Sequence, residues 1–169
     1  MHHKTPATLA LSLVTTALLS GTAFAQVPPA IAAPGETAVA TYHAIGAQVY
    51  ECRAGADGKL AWAGREPIAV LLLDNKTVGR HYAGPTWEHT DGSAVVAKAA
   101  GSAPGKTPND VAWLKLTVTS SKGSGMLSGV TTIQRINTAG GAHPGACDKA
   151  GAIASSPYET DYVFLKKGG

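Results

Sequence analysis

The stretch VAWLKLTVTSS, Val111 to Ser121, has a two-residue period that decides the fold class. Alternate positions carry apolar side chains, and most of the positions between them carry polar ones: Ala112, Leu114, Leu116 and Val118 against Lys115, Thr117 and Thr119. Because the side chains of a β-strand point alternately to its two faces, this pattern predicts a half-buried strand. Trp113 is the exception, since the alternation places it on the polar face.

Strand-like patterns recur on both sides of this stretch. The chain turns at KGSG, continues with MLSGVTTIQRINT, and ends with YETDYVFL, in which one face carries Tyr158, Thr160, Tyr162 and Phe164. Before it, two strand-like runs meet at Asp57-Gly58, a dipeptide typical of tight hairpins. The run IAVLLLDN, residues 68–75, fits a buried strand or a short buried helix, and the flanking Pro67 and Asn75 favour the strand. We therefore predict an all-β protein, an antiparallel sandwich or barrel-like fold of about eight strands with little helix.

The first 36 residues divide into two segments. Residues 1–25 have the pattern of a secretory signal peptide, because the apolar run LALSLVTTALLS is too short to span a bilayer and AFA supplies the small residues of a cleavage site. Residues 26–36, QVPPAIAAPGE, are proline-rich and predict an extended arm. Residues 37–169 would then form a single β domain of a periplasmic or extracellular protein with no transmembrane segment after signal cleavage.

The chain contains two cysteines, Cys52 and Cys147. In an exported protein they would most simply form one disulfide, and a pair of free thiols acting as ligands or nucleophiles is the alternative. Without Lys4 in the predicted signal segment, 13 basic residues stand against 11 acidic ones, a net charge of +2. That balance, with no basic stripe, is not typical of a nucleic-acid-binding protein.

The stretch HYAGPTWEHTDGS, His81 to Ser93, concentrates polar side chains. His89 and Asp91 lie two residues apart on one strand face, and a sharp reversal at Gly84-Pro85 would be needed to bring His81 to them. One hypothesis is a divalent metal site formed by His81, His89 and Asp91. The alternative is a hairpin in which Trp87 packs into the core and Asp91-Gly92 forms a turn.

Catalytic residues remain unknown from the sequence, and no cofactor is predicted apart from the possible metal. No serine lies in a GxSxG motif, and nothing in the sequence sets a spacing between carboxylates that would suit glycoside hydrolysis. A ligand-binding surface is predicted around Trp87, Glu88 and Trp113, with an exposed Trp113 stacking on sugar rings as one version of it. The alternative is that Trp113 is covered and packs in a core.

The order of several motifs resembles a known family. YEC, HYAGPTWEHTDGS, IQRINTAGG with PGAC, and YETDYVF, spread over residues 37–165, are similar to a secreted family of bacteria and fungi catalogued as domain of unknown function 3455. The resemblance implies an exported single domain and supports the pairing of Cys52 with Cys147. It implies no activity, cofactor or catalytic residue.

These patterns together favour a non-enzymatic binding or structural module of the cell envelope or exterior. Its partner would be a small molecule, a glycan or an envelope component, and not a nucleic acid. A metal-binding protein or metal-dependent enzyme that uses the region of His81 and His89 is the second hypothesis. A carbohydrate-binding protein is the third.

Overall fold

The computed structural model describes residue 1 and residues 27–168, and its regular structure is almost entirely β. A short 3-10 helix precedes eight strands. The 3-10 helix is Pro29–Ile31, and the strands are β1 Glu36–Ala54, β2 Leu60–Leu73, β3 Lys76–Tyr82, β4 Thr86–His89, β5 Ala94–Ala103, β6 Trp113–Lys122, β7 Thr132–Gly140 and β8 Ile153–Lys167. The predicted all-β class with little helix is confirmed.

The eight strands form one closed antiparallel barrel. Each strand pairs with the next one along the chain, and β8 pairs with β1 to complete the circle. Of the two predicted architectures, the sequence therefore folds as the barrel.

The side-chain alternation of the strands builds the barrel interior. In β8 the four residues predicted to share a face are all buried, and the residues between them are exposed or half-buried. The same rule holds in β2, which is a strand and not a helix: Ala69 and Leu71 point into the core, whereas Ile68 and Val70 are exposed on the outer face. The interior is filled by aromatic and aliphatic side chains, among them Tyr42, Leu71, Trp87, Leu116, Ile133, Tyr162 and Phe164.

Tight turns connect neighbouring strands, and two of them lie where the sequence predicts them, at Asp57-Gly58 and Asp91-Gly92. Gly58 lies between β1 and β2 and Gly92 between β4 and β5, both with the positive φ angles (75° and 86°) that glycine adopts without strain. The β2–β3 connection consists of Asp74 and Asn75, whose positive φ angles match the two-residue hairpin turns that follow the twist of the strands.

The N-terminal arm packs against the outside of the barrel. Ile31 is 0% exposed and forms a small cluster with Ala103 and Trp113. The side-chain amide of Gln134 donates to the Ile31 carbonyl at 2.8 Å, which fixes the arm to β7. The signal peptide predicted for residues 1–25 lies outside the described residues, apart from residue 1.

Of the two alternatives for Trp113, exposed or covered, the structure shows the covered one. The alternation does place this side chain on the outer face of β6, but the arm covers it and leaves it 7% exposed. Its indole therefore belongs to a core between arm and barrel and offers no stacking platform to a sugar.

The predicted disulfide is present between Cys52 at the end of β1 and Cys147 in the loop before β8, with Cα atoms 5.9 Å apart. The cross-link closes a loop of 95 residues that contains most of the barrel. Within the described residues, no helix has the length and apolar character needed to cross a membrane.

Candidate functional site

The stretch His81 to Ser93 forms the β3–β4 hairpin and the turn that follows it. The chain reverses at Gly84, whose φ is 84°, so that His81 lies directly opposite Trp87 in the β3–β4 register. Both side chains are buried inside the barrel, and Glu88, one residue further, faces the other way. The chain reversal that brings His81 towards β4 does occur, but the residue opposite His81 is Trp87 and not His89.

Glu88 belongs to a network on the outer surface. Its carboxylate accepts hydrogen bonds from Arg80 at 3.0 Å and from the Tyr82 hydroxyl at 2.7 Å. Both hydrogen bonds lower the pKa of the Glu88 carboxyl, and the one from Tyr82 has the larger effect. Because Glu88 is outside the barrel wall, Trp87 inside it and Trp113 beneath the arm, the predicted ligand-binding surface of these three residues does not exist as one surface.

The predicted metal ligands do not converge either. His89 and Asp91 are neighbours, with Nδ1 and Oδ2 3.0 Å apart, but the Asp91 carboxylate is occupied by protein donors. It accepts from the backbone and hydroxyl of Ser93 at 2.8 and 2.6 Å and from the Met126 amide at 2.7 Å. The hydrogen bonds from Ser93 are the main reason that the pKa of Asp91 lies far below its ordinary value. Asp91 therefore ties the β4–β5 turn to the β6–β7 loop.

Other histidines do not complete a metal site. His43 contacts Asp161 at 3.0 Å, and His143 contacts the Ser156 hydroxyl at 2.8 Å, each in a separate part of the barrel. Over residue 1 and residues 27–168, no group of three histidine, cysteine or acidic side chains is placed to hold a metal ion. The metal site predicted from His81, His89 and Asp91 is therefore not formed.

What the hairpin does form is one wall of a cavity inside the barrel. The cavity has a volume of about 110 Å³ and is partly open to solvent. Its lining combines aromatic and aliphatic surface with a few polar groups: Gln48, Pro67, His81, Pro85, Trp87, Leu114, Leu116, Arg135 and Tyr162.

Three aromatic rings form a rigid cluster at this cavity. The His81 imidazole stacks on the Trp87 indole with ring centres 4.0 Å apart, and Tyr162 meets both rings edge-on at 5.1 and 5.3 Å. The Tyr162 hydroxyl lies 3.3 Å from the Tyr158 hydroxyl. Such packing fixes the orientation of every ring, so the polar atoms they carry are fixed as well.

His81 is held in its neutral form. Its Nδ1 donates to the Thr86 carbonyl at 2.8 Å, which places the proton on Nδ1 and leaves Nε2 as an acceptor. Burial lowers the pKa of the imidazole to about 3, and the nearby positive charge of Arg135 acts in the same direction. At neutral pH the ring therefore behaves as an uncharged wall of the cavity.

Two side-chain donors line the cavity, the indole of Trp87 and the amide of Gln48. Nε1 of Trp87 has no hydrogen-bond partner among the described residues, and Trp87 itself is 0% exposed. Folded proteins leave few buried polar groups unpaired, so this donor at the cavity wall requires an explanation.

Arg135 contributes a third donor group and the only formal charge of the lining. Its Nε and Nη2 donate to the Ala112 carbonyl at 3.0 and 2.8 Å, which anchors the guanidinium. These bonds use two of the five N–H groups of the side chain, and a further one interacts with the Tyr162 hydroxyl. Among the described residues no carboxylate lies within 4.0 Å of the guanidinium.

Comparison with known proteins assigns the chain to a family. A family model described as "Protein of unknown function (DUF3455)" matches residues 72–166, more than half of the chain. The chain belongs to this family. No curated protein and no solved structure matches it. The part that matches the DUF3455 model supplies most of the cavity wall, including His81, Trp87, Arg135 and Tyr162, whereas Gln48 lies before it.

The cavity residues of this DUF3455 domain that the sequence analysis missed are Gln48, Arg135 and Tyr162. For Tyr162 the pattern predicts a face shared with Tyr158, Thr160 and Phe164, but it does not connect the residue with a site. Arg135 carried a usable signal, because it lies two residues after Ile133 in a strand, and a charged residue on an apolar face is unusual. Gln48 carried none, since half-buried glutamines are common on strands.

Proposed function

We propose that this protein is a non-enzymatic binding module, exported to the cell envelope or exterior, that holds a small molecule in the cavity of its barrel. The observation that carries the proposal is the buried Nε1 of Trp87, which has no hydrogen-bond partner among the described residues and belongs to a side chain that lines that cavity. Each buried donor without an acceptor costs about 1–3 kcal/mol. A ligand with hydrogen-bond acceptors recovers part of that cost, and this recovery is a source of its affinity.

The size and the walls of the cavity fit a small organic molecule. Its volume of about 110 Å³ is somewhat below the roughly 150 Å³ of an engineered protein cavity that holds benzene. The lining follows the pattern of ligand sites, in which apolar and aromatic side chains supply contact area and a few polar groups fix the orientation.

The properties of His81 favour binding over catalysis. A general base works best when its pKa lies near the working pH, and burial lowers the pKa of this imidazole to about 3. Its role in the proposal is to hold the Trp87 indole in place by stacking on it. Export is supported by the disulfide between Cys52 and Cys147, because such cross-links persist in oxidising compartments.

A panel of small carboxylates, amides and alcohols of up to seven non-hydrogen atoms tests the proposal. Binding is followed by the rise in Tm and by the shift of the Trp87 indole N–H signal in NMR spectra. That signal is assigned with Trp62→Phe and Trp113→Phe variants, which leave Trp87 in place. We expect at least one compound to raise Tm and to shift the Trp87 signal.

A matched pair of variants locates the binding. Leu114→Phe adds volume at the cavity wall, whereas Leu73→Phe makes the same change at the exposed end of β2, outside the cavity lining. The first variant should abolish the response and the second should keep it. The proposal fails if no compound changes Tm or the Trp87 signal, or if Leu114→Phe responds as the wild type does.

A further inference from the structure

We infer that the ligand of the barrel cavity is a small monocarboxylate with an apolar body, bound through the free N–H groups of Arg135. This inference rests on the proposed function and names the chemical class of its ligand.

The first argument is the charge of Arg135. The guanidinium lines a cavity whose lining contains no acidic side chain, and its charge has no carboxylate partner among the described residues. Partly buried charges are normally paired, because removing them from water without a counter-ion is costly. The Ala112 carbonyl anchors one edge of the guanidinium, and the N–H groups left over suit the two oxygens of a carboxylate.

The second argument is the character of the other polar groups. Most of the polar groups at the cavity can donate, namely Trp87 Nε1, the Gln48 amide and Arg135, whereas Nε2 of the neutral His81 accepts. A ligand rich in acceptors suits this lining, whereas an ammonium ion would be repelled by Arg135. An anion is therefore favoured over a cation.

The third argument is the apolar remainder of the wall. Leu114, Leu116, Pro67 and Pro85 present carbon surface beside the donors. An inorganic anion such as phosphate has no group to place against that surface and brings a larger charge than one arginine offsets. A carboxylate with a short hydrocarbon body satisfies both kinds of wall within about 110 Å³.

Three probes of nearly equal shape and different charge test the inference: butyrate, butyramide and butylamine. Titrations of the full mature chain are followed through the Trp87 indole signal, in buffers that contain no carboxylate. Hydrogen bonds to a charged partner are worth about 1.5 kcal/mol more than neutral ones, so butyrate should bind roughly tenfold more tightly than butyramide. Butylamine should not bind.

Variants of Arg135 test whether its guanidinium is the group that recognises the negative charge of the ligand. Arg135→Gln should remove the preference for butyrate over butyramide. Arg135→Lys keeps the positive charge and should retain part of the preference, and it replaces the glutamine variant as the test if that variant does not fold. Arg80→Gln removes an arginine from the outer face and should leave the tenfold ratio unchanged.

The outcomes separate the two proposals. If butyramide binds as tightly as butyrate in the wild type, the carboxylate inference is overturned and the binding function stands. If the preference persists in Arg135→Gln, the role of Arg135 is overturned. If none of the three probes binds and the wider panel also fails, both proposals fall together.

Discussion

Lowering the pH from 7 to 5 should destabilise the barrel through His81. The imidazole is 4% exposed, and burial lowers its pKa to about 3, against about 6.5 in an unfolded chain. Between these two values the unfolded chain binds a proton that the folded chain does not, so the free energy of unfolding falls as the pH falls. From pH 6.5 to pH 5 the interval is about 1.5 units, which at about 1.36 kcal/mol per unit gives a loss of about 2 kcal/mol.

The window between pH 7 and pH 5 isolates this effect from the carboxylates. The carboxyl groups whose pKa the fold lowers lose their stabilising contribution only below about pH 5, where the unfolded chain begins to protonate: Glu51, Glu88, Asp91 and Asp110. Any loss of stability above that pH is therefore dominated by imidazole groups.

The variant His81→Phe provides the comparison. Phenylalanine keeps a ring against Trp87 but cannot take up a proton, and it loses the hydrogen bond to the Thr86 carbonyl. The variant should be less stable than the wild type at pH 7 by about 1–3 kcal/mol, and that deficit should shrink by about 2 kcal/mol at pH 5. Urea unfolding at pH 7, 6 and 5, followed by tryptophan fluorescence with the disulfide intact, measures both values. Equal losses in the two proteins between pH 7 and pH 5 would refute the neutral, buried state of His81.

Two further substitutions test other contacts of the fold. Ile31→Ala should lower the free energy of unfolding by about 2–5 kcal/mol, because a fully buried isoleucine is removed, and should shift the emission of Trp113 to longer wavelength; unchanged emission would mean that the arm does not cover the indole. Ser93→Ala should cost about 1–3 kcal/mol in urea unfolding, since its hydroxyl accepts from the buried Leu127 amide at 3.1 Å; the exposed Ser120→Ala serves as the control, and an equal effect of both would contradict this role.

The sequence was sufficient for the fold class because the strands carry their own periodicity. The alternation over Val111 to Ser121 and Tyr158 to Leu165 reports which side chains face a core, and Asp57-Gly58 reports a turn. These signals depend on neighbouring residues alone. The disulfide was predictable for a different reason, because a chain with two cysteines allows a single internal pairing.

Long-range contacts explain what the sequence did not provide. The two-residue alternation of side chains in β6 puts Trp113 on the outer face of the strand. This alternation contains no information about the arm, some 80 residues earlier, that covers the outer face. The reversal at Gly84 was foreseen as a condition, but the register that pairs His81 with Trp87 depends on the length of the turn.

The cavity was beyond prediction for the same reason. Gln48, Arg135 and Tyr162 come from β1, β7 and β8, and only the closure of the barrel brings them to one place. Even the local alternation is interrupted near this site, because the β1–β2 pairing shifts between Val49 and Tyr50.

The pairing of β1 with β8 also sets an order of events in time. Until the last 15-residue strand of the chain is in place, the first strand has no permanent neighbour on one side. An open circle exposes two rows of backbone hydrogen-bonding groups that can join other polypeptides. The barrel therefore cannot close without β8. A product cut short within residues 153–167 would be an open, aggregation-prone sheet and not a smaller barrel.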